Sequence, residues 1–97
     1  MMIDWFNKDA NVLRIDPVSL SGSANVIAVQ EGKPYPFGIP APAWKLLRVA
    51  MGGDVLQEKA VLINAKFWLT DLLRGHNFEE NPDPQMTEDR MKVWLGL

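Results

Sequence analysis

The stretch from Gly32 to Trp44, GKPYPFGIPAPAW, sets its four prolines at even positions, Pro34, Pro36, Pro40 and Pro42, while Tyr35, Phe37, Ile39 and Ala41 take the odd ones. In an extended chain, residues i and i+2 share a face and aim their N–H groups at one edge. Pro34 and Pro36 therefore delete two donors from the same edge and leave the odd-numbered edge able to pair. The preceding run NVIAVQ, Asn25 to Gln30, is β-branched and ends at the turn signal EGK, where Gly32 can take a positive φ. Together they predict a hairpin whose outer strand is blunted against strand addition, with Tyr35, Phe37 and Ile39 on the core face. A proline-and-aromatic recognition surface is the alternative, although no PxxP spacing supports an SH3-type ligand.

Upstream, NVLRID from Asn11 to Asp16 reads as a short strand halted by Pro17, and SLSGSAN as a loop. Downstream, Pro40 and Pro42 fit the first turn of a helix, whose N–H groups have no intrahelical partner. AWKLLRVAM then carries Trp44, Leu47 and Met51 at helical spacing before Gly52-Gly53. Asp54 is placed to cap a second helix from about Val55 to Arg74, with Gln57 at the capping-box position and Gly75 as C-cap. A buried strand over AVLI, Ala60 to Ile63, is the alternative to that helix.

As a helix, this segment has two apolar stripes. Val61, Leu62, Ala65, Trp68, Leu69, Leu72 and Leu73 form a wide face, and Leu56, Ala60, Ile63 and Phe67 line the opposite side. A surface helix needs only one such face. HNFEENPDPQ, His76 to Gln85, reads as an acidic, proline-broken loop. Thr87 then caps a last helix with Glu88 and Asp89 in its first turn and Met91, Trp94 and Leu95 on its apolar side. The fold class is α+β: one small domain over residues 1–97, an N-terminal antiparallel hairpin or short sheet packed against two to three C-terminal helices.

Ninety-seven residues with 47% apolar content make one ordinary globular core. Trp44, Trp68 and Trp94 fall on apolar helix sides and are expected in it, whereas Trp5 and Phe6 sit near a terminus. The absence of cysteine excludes disulfides, thiolate zinc sites and a cysteine nucleophile, and suits a reducing compartment. MMIDWFNKDANVLR has no positive leader followed by an apolar run, and no stretch is long enough to span a bilayer, so a cytoplasmic protein with no membrane partner is expected. The net charge of −2 is unevenly spread: residues 33–76 hold six basic and three acidic residues, residues 77–97 two basic and five acidic. No basic cluster interleaves with the aromatics, which argues against nucleic acid.

Catalytic sets are missing. His76 is the sole histidine, with Asp71 the nearest candidate orienting carboxylate in sequence, and no spacing demands their pairing. Glu79, Glu80, Asp83, Glu88 and Asp89 form no EF-hand pattern. The serines of the loop make no G-x-S-x-G elbow, and Gly52-Gly53-Asp54 lacks the P-loop lysine. No catalytic residue, cofactor or metal site is expected.

The reading that remains is a non-enzymatic protein–protein interaction module. It would be an accessory, regulatory or inhibitory protein docking on a larger partner, in the general style of small phage and mobile-element proteins. Its expected anchors are Tyr35, Phe37, Ile63 and Phe67, with Lys33 and Lys66 at the rim. The alternatives are a homo-oligomeric structural or assembly subunit, and a small-ligand binder with a pocket between hairpin and helices lined by Tyr35 and Trp44.

Overall fold

The computed structural model describes residues 9–97, so Trp5 and Phe6 lie outside the described residues. Three strands precede three helices: β1 (Asn11–Pro17), β2 (Ala24–Gln30), β3 (Lys33–Ile39), α1 (Ala41–Ala50), α2 (Glu58–Leu73) and α3 (Glu88–Leu95). The strands form one antiparallel sheet in the order β1-β2-β3, giving the α+β class expected from the sequence.

The hairpin turns through Glu31 and Gly32, with φ of 51° and 77°. Two successive positive φ values give a turn whose twist matches that of the flanking strands. Gln30 and Lys33 close the ladder, followed by Ala28 with Tyr35, Val26 with Phe37 and Ala24 with Ile39. In this register the closing pair and every second pair beyond it exchange hydrogen bonds. Pro34 and Pro36, opposite Val29 and Ile27, fall between them, with their missing donors on the outer edge.

Strand β1 carries a bulge. Val12 pairs with Ala28 and Arg14 with Ile27, leaving Leu13 as the extra residue. Side chains alternate along a regular strand, so residues three apart would face opposite ways. The bulge resets the alternation, and Val12 and Ile15 both reach the core while Leu13 stays outside.

The core face of the sheet, with Val12, Ile15, Ala24, Val26, Ala28, Phe37 and Ile39, packs into one cluster with Trp44, Leu47, Leu69, Leu73 and Met91. Helix α2 lies against β1, and α3 against α1. The buried stripe of α2 is Val61, Ala65, Leu69 and Leu73, at i+4 spacing. Ala60 to Ile63 is helical, which settles the strand alternative. Trp44 is buried as expected, while Trp68 and Trp94 are half-buried against the core.

Three expectations need correction. Helix α2 begins at Glu58 with an extended Gln57 as N-cap, so Asp54 caps nothing. Gly52, at φ 100°, starts a tight turn in which Val55 and Leu56 donate backbone N–H groups to the Gly52 carbonyl. The Leu56 side chain lies over Gly52, in space that a Cβ would fill. At the other end, Arg74 is a right-handed C-cap and Gly75 has no positive φ. Finally, the acidic loop after α2 is more than solvated chain: Phe78, Pro84 and Met86 are buried.

Phe78 stacks on Tyr35 at 5.4 Å and Phe37 at 5.9 Å between ring centroids, closing that end of the sheet. Gln30 holds the loop in place. Its side-chain amide donates to the His76 carbonyl and accepts from the Phe78 N–H at 2.9 Å. At α3, Thr87 Oγ1 accepts from the Arg90 N–H at 3.2 Å, and Gly96 ends the helix at φ 76°.

Candidate functional site

The bulge and α2 together build an exposed apolar surface from two packed elements. The Val12 N–H donates to Thr70 Oγ1 at 3.0 Å, tying α2 to the outer edge of β1. An open groove of about 230 Å³ runs beside that contact, lined by Leu13, Ile15, Leu62 and Ile63, with Arg14, Lys59 and Lys66 around it. Leu13 is 59% exposed, Ile63 46% and Phe67, one helical turn beyond Ile63, 69%. The core beneath is complete without them, since Val61, Ala65 and Leu69 fill the inner side of the same helix.

The rim is cationic. Arg14 pairs with Asp16 at 2.8 Å across the strand face, whereas Lys59 and Lys66 form no ion pair among the described residues. Glu58, at the start of the helix, is engaged by Arg48. The groove therefore combines apolar contact area with two lysines that are in no ion pair among the described residues.

The anchors expected from the sequence separate in space. Ile63, Phe67 and Lys66 share the outer side of α2. Phe37 lies in the core and Tyr35 is half-buried against Phe78, on the strand farthest from α2. Lys33 closes the hairpin at the turn. Leu56 sits in the turn before α2 and Ala60 is half-buried, so the second stripe narrows to Ile63 and Phe67.

Leu13, Arg14 and Lys59 were not singled out in the sequence. The available signal was the spacing of Val12, Leu13 and Ile15, which fits neither strict alternation nor a continuous buried strand and so marks a bulge.

Three other clefts open on the described residues, one of about 620 Å³ along Ala24, Phe37 and Ile39; the remaining two hold Trp44 and Tyr35. One, of about 620 Å³, is floored by Trp44 and Leu62 beneath the β1–β2 loop, with the Arg48–Glu58 pair at its mouth. Tyr35 belongs to the other, a polar cleft of about 350 Å³ beside Gln30 and His76, so among the described residues Tyr35 and Trp44 line different clefts. His76 is held by a 2.7 Å hydrogen bond between Nε2 and the Asn81 carbonyl and by an edge-on contact with Phe78. Asp71 pairs with Arg74 instead of His76. Among the described residues, no three histidine or carboxylate side chains gather as a metal site, and no helix is long and apolar enough to cross a membrane.

The chain matches no family model, no curated protein and no solved structure. The functional reading rests on the groove itself.

Proposed function

We propose that this chain is a non-enzymatic protein–protein interaction module, an accessory, regulatory or inhibitory protein that docks on a partner through the β1–α2 face. The observation that carries this reading is the trio Leu13, Ile63 and Phe67. Leu13 and Ile63 line one groove between the strand bulge and α2, and Phe67 is exposed one helical turn beyond Ile63, outside the stripe of Val61, Ala65 and Leu69 that faces the core. Contiguous exposed apolar surface with a charged rim marks interaction sites, and an aromatic such as Phe67 supplies much of the contact area in interfaces. Lys59 and Lys66 select for a partner carrying acidic groups.

The test is affinity capture from the native host, or from the infected cell if the gene belongs to a phage, with the wild-type chain and with Ile63→Asp and Phe67→Asp. Retention of a partner by the wild type and its loss by both folded variants is the expected result. Equal capture by all three would overturn the assignment of the face. The second reading, a homo-oligomeric subunit, is favoured by the separation of charge between residues 33–76 and 77–97.

A further inference from the structure

We propose that the cleft beneath the β1–β2 loop binds a small monocarboxylate with an apolar body. The site is separate from the docking face and shares only Leu62 with the groove beside β1.

The walls are held by backbone contacts. The Val18 N–H donates to the Ser23 carbonyl at 2.8 Å and the Gly22 N–H to the Val18 carbonyl at 2.9 Å, so the loop closes on itself. A Cβ on Gly22, at φ 72°, would stand 3.5 Å from the Ala41 Cβ, which places the loop close over α1. The Arg48–Glu58 pair joins α1 to the start of α2 at the mouth. Pro17, Val18, Ala41 and Leu62 supply apolar wall around Trp44. A cleft of about 620 Å³ built this way is of the size and character of small-molecule sites, which add a few placed polar groups to an apolar lining.

The polar groups here are donors. Trp44 is 3% exposed, yet its indole N–H makes no hydrogen bond among the described residues. Among those residues no solvent-sealed side-chain nitrogen or oxygen lacks a partner, so the indole N–H reaches solvent. Trp44 borders this cleft and none of the other three. An acceptor entering the cleft would give that N–H the partner a buried indole usually has.

At the rim, Lys45 is in no ion pair among the described residues, whereas Glu58 is engaged by Arg48. Indole and ammonium donate and cannot accept, and the Ser19 hydroxyl can donate as well. The complementary ligand therefore carries acceptor oxygens on an apolar frame, and one free cation matches one negative charge.

The probe is 2-naphthoate, titrated from micromolar to millimolar into the nitrogen-15-labelled chain, with neutral 2-naphthamide for comparison. Amide and indole resonances report the site. The Trp44 indole N–H and the Ser19 and Ala41 amides should shift saturably with 2-naphthoate. The amide probe should bind the wild type roughly threefold more weakly, the size of an exposed ion pair. Lys45→Gln, at an exposed position, should weaken 2-naphthoate by the same factor and leave 2-naphthamide unchanged.

Absence of saturable shifts with 2-naphthoate overturns the site. Equal affinity of the wild type for the two probes overturns the carboxylate assignment, as does Lys45→Gln binding 2-naphthoate like the wild type. Shifts confined to Ile63 and its neighbours, with the Trp44 indole still, overturn the placement.

Discussion

Replacing Gln30 with leucine removes the side-chain amide that hydrogen-bonds the loop after α2 to the sheet. The substitution keeps the volume and discards both hydrogen bonds, leaving the buried Phe78 N–H and the His76 carbonyl without their partner. An orphaned buried donor costs about 1–3 kcal/mol, and the half-buried carbonyl adds less because water can reach it. A net loss of about 2–3 kcal/mol is a large share of the stability of a domain this size. At 4–8 °C per kcal/mol, that lowers the melting temperature by about 8–24 °C.

Tryptophan fluorescence during urea unfolding measures the change, with the midpoint falling and the slope unchanged. Amide exchange adds a local readout, since Phe78 N–H should lose more protection than Val26 or Leu69. A stability loss below about 0.5 kcal/mol, the range of a neutral surface change, would refute the clamp.

Other outcomes follow from the same geometry. Glu31 holds φ 51° beside an open Gly32, so Glu31→Asn should stabilise the hairpin by about 0.5–1 kcal/mol in thermal unfolding, and Gly32→Ala should destabilise it without any steric contact. Pro34→Thr with Pro36→Thr restores two donors on the open edge of β3; scattering should show new association that Ile63→Asp does not disperse. Leu69→Ala should cost about 2–5 kcal/mol in urea unfolding, whereas Phe67→Ala, whose ring hides only a third of its surface, should cost about 1.5 kcal/mol or less.

Periodic segments were legible in the sequence and irregular ones were not. The even-numbered prolines located β3, its turn and its edge, because proline geometry acts locally. Thr87 likewise marked the start of α3. The start of α2 was misplaced because Val55 and Leu56 continue the apolar pattern while Gly52 folds them into a turn, a preference that outweighs periodicity. Phe78 and Met86 went unrecognised as core since a loop has no period to betray its buried residues. The stripe of Ile63 and Phe67 was visible as surplus apolar surface. Its neighbour Leu13 needed the β1 register, and Phe37 was separated from it by the sheet order, which no local spacing encodes.

Methyl-resolved NMR of the labelled chain, titrated with unlabelled copies or with a captured partner, tests the docking face most directly. The Leu13 and Ile63 methyls and the Phe67 ring should shift or broaden first, with Leu47 and Leu69 in the core unmoved. Perturbation confined to the Trp44 cleft, with Leu13, Ile63 and Phe67 silent while the complex forms, would contradict it.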